Sequence, residues 1–529
     1  MNNFQIVSPE QVRRTILEFS NKSCELDPIP TDLLKKCLET SLIDHITFIF
    51  NQSLQLGAVP DSFKNALVNP LLKKTNLDES SLHNYRPVSN LPFLSKVLEK
   101  LVSFQLFRHL DQHNMKDKFQ SAYRSGHSTE TALLKVVNDI LNIADQNSIC
   151  PLAMLDLSAA FDTIDHDILL LRLQNLYGIS GTALKWFKSY FSNRFQAVKI
   201  ASERSEWRRL RYGEPQGSVL GPVIFTLYIQ PLSVILNKFN MFYHMYADDT
   251  QIYIGCCYTN LQTAINNIEC CIKEIKEWMN ANMLKINDEK TEIIIFGRGS
   301  ILSKVGNAVV DINGTQITPC NVVKNLGVKL DSEMSMVPQI NSLCKSLYFQ
   351  IRNISSIRTF LTTSVTKTLM TSLVLSKLDY CNSLLAGLPD KTLSKLQIVQ
   401  NNAARVISRR RKRDHAKPIL FELHWLPIRE RIKYKVAITC FKCLNGTAPE
   451  YLNEELTVYM PKRSLRSSQD TKVLVLPRKN YKMFGERSFS YIGPLIWNHL
   501  PMHIRHIEDE HTFKQKLKTY LFLDTFSTL

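Results

Sequence analysis

The clearest pattern in the chain is a helical stripe. Between 261 and 284, apolar residues recur at Leu261, Ile265, Ile268, Ile272, Ile275 and Met279 with polar residues between them. Spacings of three and four predict an amphipathic helix with one buried face. The same spacing at Val12, Ile16, Leu17 and Phe19 predicts a helix over 10–19, and another follows over 32–50 after the break at Asp27-Pro-Ile-Pro30. Leu94, Val97, Leu98 and Leu101 predict a helix over 93–110, Ser128 or Thr129 caps the next, and 165–177 adds one more. Patterns at 337–357, 362–380 and 391–409 predict a helical bundle. Strands are predicted where short runs favour a pleated backbone: 66–74, 149–157, 241–246, 252–254, a turn and then a strand within 284–296, and a hairpin over 322–330.

Composition narrows the class. A chain of 529 residues is too long for one core and suggests about three or four domains. Sixty-five basic residues against 48 acidic ones leave a charge of +17, which favours a polyanionic partner, nucleic acid before a membrane surface. The first residues hold no apolar core, so no signal peptide is expected. Pro215–Asn237 carries no charge, but Pro222, Pro231, Gln216 and Gln230 interrupt it, so a membrane helix is rejected and no membrane partner is expected. The 12 cysteines form no framework, and Cys440-x-x-Cys443 has no following pair, so they read as reduced intracellular thiols. The location implied is nuclear and cytoplasmic.

The candidate chemistry centres on Phe242–Tyr253, FYHMYADDTQIY. Ala-Asp-Asp between two β-favouring runs reads as a hairpin tip, and the paired carboxylates of Asp248 and Asp249 suit a hard cation; a merely solvated acidic turn is the bland reading. The apolar run ICPLAMLDL puts Asp156 at a strand's carboxyl end, an edge where ligand sites gather in α/β layers. Gly213–Pro222 is a glycine-rich turn whose small residues let a backbone approach a nucleotide, or is an ordinary turn. Lys73, Lys74, Arg86 and Arg124 lie on short loops, where cationic heads can meet phosphate or stand solvated. Leu184–Phe195, LKWFKSYFSNRF, interleaves aromatics with bases, which suits base stacking or burial. Arg409–Arg413 is a basic run that fits RNA binding, a nuclear signal or an exposed helix end.

Taken in order, these segments resemble the reverse transcriptases of non-LTR retrotransposons. Asn84-Tyr-Arg-Pro-Val-Ser-Asn90, Arg124-Ser-Gly-His-Ser-Thr-Glu-Thr131, Leu155-Asp-Leu-Ser-Ala-Ala-Phe-Asp162, Pro215-Gln-Gly-Ser-Val-Leu-Gly-Pro222, Tyr246-Ala-Asp-Asp249, Asn287-Asp-Glu-Lys-Thr-Glu292 and Asn325-Leu-Gly-Val328 carry the likeness. Lys377-Leu-Asp-Tyr-Cys-Asn-Ser383 and His424-Trp-Leu-Pro427 look like downstream segments of jockey-like elements.

The resemblance implies an α+β right-hand polymerase of fingers, palm and thumb with a split βαβ palm sheet. It implies an N-terminal helical extension over 1–62, fingers and palm over 63–335, a helical thumb over 336–410, and a mixed basic C-terminal region over 411–529. Asp156, Asp248 and Asp249 would hold two Mg²⁺, with Mn²⁺ as a substitute. Phe161 would exclude the ribose 2′-hydroxyl, although a core phenylalanine is its bland reading. Gln216 and Gly217 would place the incoming nucleotide and template. Arg124, and less surely Lys73, would grip the triphosphate. Lys290 would protonate pyrophosphate, and the 322–330 hairpin would hold the primer end. The partners implied are an RNA template, a DNA primer or nicked target DNA, and dNTPs.

Such elements usually carry an endonuclease ahead of the polymerase. With about sixty residues before the fingers, this chain is expected to rely on one supplied elsewhere. No terminal zinc knuckle or RNase H-like acidic set is found. The rival reading is a catalytically inactive nucleic-acid-binding remnant of such an element; a maturase-like splicing cofactor would need an intron-binding domain that the residues do not suggest.

Overall fold

The computed structural model describes residues 1–158, 161–306, 308–312, 314–460 and 472–527. The Ala159-Ala160 pair of the Leu155–Asp162 motif, and part of the expected C-terminal region, lie outside them. Contacts divide the chain into two units, each built from separate stretches. The first holds 1–123, 156–235 and 274–287, and the second 124–155, 236–273 and 288–529. These divisions do not follow the boundaries expected at 62, 335 and 410.

In the first unit, residues 1–62 are held by the segments that follow them. Asn51 Oδ1 accepts from Val7 N at 2.8 Å and its Nδ2 donates to Val7 O at 2.9 Å. Phe4 packs edge-on against Trp186, ring centroids 5.7 Å apart, and Trp186 Nε1 donates to Ser53 Oγ. The Pro9–Glu18 helix starts at Ser8, whose side chain and that of Gln11 cap each other's backbone amides. A five-stranded sheet runs Tyr85–Asn90, Asn65–Leu72, Arg194–Ile200, Glu203–Arg204, with Arg208–Leu210 also paired to Arg194–Ile200.

The aromatic-basic run resolves into the Gly181–Phe191 helix and the start of that central strand. Trp186, Phe187, Tyr190 and Phe191 are all buried. Their spacing made a core face, and of the run's rings only Phe195, on the strand, is exposed. The uncharged span over 215–237 becomes two short helices, Gly221–Ile229 and Leu232–Lys238, separated at Gln230-Pro231. Among the described residues no helix is long and apolar enough to cross a membrane.

The second unit is built on a four-stranded antiparallel sheet: β1 (Cys150–Leu155), β2 (Phe242–Tyr246), β3 (Asp249–Tyr253) and β4 (Glu292–Phe296), in the order β4-β1-β3-β2. β3 pairs antiparallel with both β1 and β2, so those two strands run parallel with a reversed strand between them. β1 is apolar along its length because it is buried between two neighbours. The Thr129–Asp145 helix is capped by Ser128, one of the two residues expected, and Thr131 completes the capping box. Every residue of the 261–284 stripe is buried, on the Leu261–Ala281 helix, whose residues to 273 belong to this unit and whose later ones belong to the first.

A hairpin follows, β5 (Val322–Asn325) and β6 (Val328–Asp331). Next come the helices Val337–Ser356, Thr363–Met370 and Asp390–Ser408; the middle one continues through a π turn at Thr371–Leu375 into Ser376–Asp379.

Residues beyond 410 share this unit's core. The Ile428–Leu444 helix packs on Phe489–Asn498 and Glu510–Phe526, with Phe441 stacked on Phe513 at 4.3 Å. Asp145 accepts the backbone amides of Asn480 and Tyr481. Cys440 and Cys443 face inward on the same helix, and burial pushes the Cys443 thiol up to about 12. Both side chains pack among apolar neighbours as core residues.

Because Phe4 is part of the first unit's core, Phe4→Ala should cost about 3 kcal/mol of stability. Denaturant titration with tryptophan fluorescence would measure this, and a loss below about 0.5 kcal/mol, the scale of a surface change, would detach the amino-terminal segment from that core.

Candidate active site

The acidic pair sits where the sequence places it, at the tip of a hairpin. Tyr246 pairs with Asp249, so β2 and β3 are joined by the two residues Ala247 and Asp248. Ala247 takes φ 56°, the left-handed region, a conformation that costs an L-residue about 1–2 kcal/mol. Asp248 and Asp249 are both half-buried. One turn thus carries two adjacent carboxylates at one sheet edge.

Register brings other strand ends to that edge. Leu155, the last residue of β1, pairs with Thr250, and Met154 pairs with Glu292 at the start of β4. The residue after Leu155 is Asp156. Lys290, exposed, ends the short Asp288–Lys290 turn that leads into β4. Strand directions alone therefore put the carboxyl ends of β1 and β2 and the amino ends of β3 and β4 on one side of the sheet. His244, in the middle of β2, is fully buried and edge-on to Tyr451 at 5.0 Å. Burial lowers its pKa to about 3, so the imidazole is neutral and offers no general acid near neutral pH.

Asp156, Phe161, Gln216, Gly217 and Lys73 belong to the first unit. Within it the glycine-rich turn and the 161–164 segment are laced together. Glu214 N donates to Phe161 O and Gly213 N to Ile164 O, both at 2.8 Å. Gly213 has φ 76°, and a Cβ there would lie 2.7 Å from the Asp162 backbone. Gly217 is as constrained: its missing Cβ would sit 2.3 Å from Ser89 O, while Ser89 N donates to Gln216 O at 2.7 Å. Gln216 Nε2 reaches both carboxylate oxygens of Asp162, at 3.1 and 3.2 Å. The Phe161 ring lies tilted on Phe225, centroids 4.8 Å apart, and is only partly buried.

Beneath this turn lies a charge cluster that the sequence reading missed. Glu99 is buried and accepts from Val219 N at 2.7 Å, Leu220 N at 3.2 Å and Ser95 Oγ at 3.3 Å. Arg194, also buried, donates to Tyr190 O and lies 4.7 Å from the centre of the Tyr190 ring. Glu214 accepts from Tyr190 Oη at 3.3 Å. Burial pushes Glu214 up to about 8, and Glu99 upward too, while Arg194 draws both down. The only signal for the cluster was a glutamate within an otherwise apolar helical face at 93–101, and Asp162 was visible only as the last letter of its motif.

The remaining residues fall on loops. Lys73 follows the Asn65–Leu72 strand, its Nζ donating to His83 O at 2.7 Å. Arg124, in the second unit, is half-buried just before the tight turn at Gly126, φ 76°. In the same unit no acid occurs from Pro338 to Leu378, and Lys345, Arg352, Lys367, Lys377, Phe349 and Phe360 are exposed along that stretch. The Arg409–Arg413 run is exposed after the Asp390–Ser408 helix. Among the described residues no three His, Cys, Asp or Glu side chains form a ready metal cage. Mg²⁺ does not require one: it binds through one or two carboxylates plus substrate phosphates and water.

Residues 72–330 match the family described as reverse transcriptase (RNA-dependent DNA polymerase). The chain is 26% identical over 408 residues to a probable RNA-directed DNA polymerase from transposon X-element of Drosophila melanogaster, covering 76% of this chain and 44% of that protein. To the RNA-directed DNA polymerase from mobile element jockey of the same species it is 24% identical over 355 residues, 66% of this chain and 38% of the relative. The chain thus spans less than half the length of these curated relatives. A solved apo telomerase from Candida tropicalis aligns with a TM-score of 0.36 and 11% identity over 52% of this chain and 55% of that one, too weak a likeness to carry an argument.

Glu214 should leave a mark on pH stability. Its folded pKa, about 8, lies above the ordinary 4.5, so its contribution is whole below 4.5 and is lost as pH rises through 8. Thermal unfolding should show a midpoint that falls between about pH 4.5 and 8, and Glu214→Gln should flatten that fall. A wild-type profile that is level across that window would place the carboxylate in a solvated site.

Proposed function

We propose that this chain, whose residues 72–330 are a reverse transcriptase domain of the LINE type, is an RNA-directed DNA polymerase that adds dNTPs to a primer 3′-hydroxyl on an RNA template. The observation that carries the reading is the strand register: Leu155 opposite Thr250 and Tyr246 opposite Asp249 set the acid-bearing ends of β1 and β3 side by side. The sheet order β4-β1-β3-β2 is what a split βαβ palm would have, with the 337–408 helices as the thumb.

Asp156, Asp248 and Asp249 are hard oxygen donors and fit Mg²⁺, two ions in this reading, with Mn²⁺ as a substitute. Bound there, the ions supply Lewis-acid stabilisation of charge on the attacking and leaving oxygens. The protein's own residues do the rest. Gln216, held by Asp162, presents the turn to the nucleotide, and Gly217 lets the backbone come close. Phe161, braced on Phe225, offers a ring edge where a ribose 2′-hydroxyl would clash. Arg124 binds triphosphate oxygens, as does Lys73, whose ammonium keeps two N–H donors beyond the one given to His83. Lys290 donates a proton to the departing pyrophosphate. The β5–β6 hairpin steadies the primer end. The acid-free stretch 338–378 meets the nucleic-acid backbone, in keeping with the charge of +17.

Purified protein should extend a DNA primer on an RNA template in Mg²⁺, and Asp248→Ala should slow extension at least about a thousandfold, about 4 kcal/mol of barrier. Equal extension by both would trace the activity to a contaminant. Phe161→Ala should raise ribonucleotide incorporation about a hundredfold relative to deoxynucleotide, about 2.7 kcal/mol of lost discrimination. Competition between labelled rNTP and dNTP measures it, and unchanged sugar selection would remove Phe161 from the nucleotide site.

A further inference from the structure

The motif Lys377–Ser383 lies outside the family-matched segment, yet it touches that segment at a telling point. Tyr380 Oη donates to Leu326 O at 2.6 Å, at the tip of the β5–β6 hairpin. That tip is a left-handed pair, Leu326 at φ 42° and Gly327 at φ 85°, and a Cβ on Gly327 would lie 3.4 Å from the Tyr380 hydroxyl. The next residue back, Asn325, is buried and donates from Nδ2 to Gln251 Oε1 at 2.6 Å. Gln251 stands on β3 two residues after Asp249, itself buried, and its Nε2 has no hydrogen-bond partner. The Asn325 bond therefore orients a buried amide next to the acidic turn.

Tyr380 is itself held on both sides. Asp379 meets Arg431 Nη1 at 2.6 and 2.8 Å, and Arg431 Nε donates to Leu426 O, within the His424–Pro427 motif, at 3.0 Å. On the other side Cys381 turns the chain left-handed, φ 50°. Ser383 then donates from N and Oγ to Glu130 Oε1 at 3.2 and 2.6 Å, and Lys435 Nζ binds Glu130 Oε2 at 2.9 Å. A tyrosine clamped at its neighbours, with its hydroxyl on a turn carbonyl and also in hydrogen-bond reach of Thr129 and Cys381, is placed to hold that turn.

We infer that Tyr380 is a positioning residue: from beyond the matched domain it pins the tip of the β5–β6 hairpin, and through Asn325 and Gln251 it fixes the seat of the Asp248-Asp249 turn. The latch stands on the contacts alone, whereas its effect on nucleotide addition rests on the polymerase reading.

Tyr380→Phe removes the hydroxyl and nothing else. In the full-length protein, amide hydrogen exchange across 322–331 should quicken about tenfold, the worth of one hydrogen bond, with the thermal midpoint unchanged. Primer-extension kcat should fall about tenfold while the KM for dNTP holds within about twofold. Asn325→Ala should give a similar kcat loss, and the double variant should lose no more than the larger single one, as members of one chain do.

Unchanged exchange in Tyr380→Phe would overturn the latch, as would quickened exchange with wild-type kcat or additive losses. A wild-type protein that extends no primer would overturn the polymerase reading instead, and the exchange measurement would still decide the latch.

Discussion

A one-residue slip between β1 and β3 would turn every side chain of one strand to the opposite face. That slip is blocked on both faces. Leu152, Ala153 and Leu155 are buried on β1, and Thr250, Gln251, Ile252 and Tyr253 are buried on β3. Tyr253 Oη also donates to Asp139 on the Thr129–Asp145 helix at 2.7 Å. Register is thus fixed by apolar packing and by a buried polar contact together, and the strand ends inherit that precision. The acids need no packing of their own because the strands bring them to the sheet edge.

The glycine-rich turn is held by a different means. Its backbone is too close to Ser89 and Asp162 to carry side chains at Gly213 and Gly217, so sterics define its path. Its flanks are tied by two buried carboxyl groups with one guanidinium nearby, Glu99, Glu214 and Arg194. Such a cluster is costly to desolvate and is weak evidence for stability. What it supplies here is direction: Glu99 takes the amides leaving the turn, while Glu214 and Tyr190 hold the residue entering it.

Elements with one strong period were legible from sequence. The stripe from Leu261 to Met279 and the helices beginning at Val337 and Asp390 lie within a residue or so of their expected places, because local spacing decides them. The hairpin tip at Ala247-Asp248 was legible for a similar reason, since β-favouring runs flank a short polar break. Trp186, Phe187, Tyr190 and Phe191 show the limit: composition suited bases, and helical spacing put these four rings in the core while Phe195 stayed exposed. Partnerships across the chain could not be read. Gln216 and Asp162 are 54 residues apart, Tyr380 and Leu326 also 54, and nothing local to either residue announces its partner. The contact units differ from the divisions at 62, 335 and 410 because composition changes along the chain while packing is settled across it.

The bonds from Asp145 to the amides of Asn480 and Tyr481 span more than three hundred positions. A ribosome must therefore reach residue 481 before that helix terminus finds its partners. The first unit needs nothing later than Asn287 and can close earlier. The 129–145 helix thus waits during translation for residues 450–498, which pack against it, to emerge. Long loop closures of this kind make the second unit the slower to mature and the more dependent on chaperones while it waits.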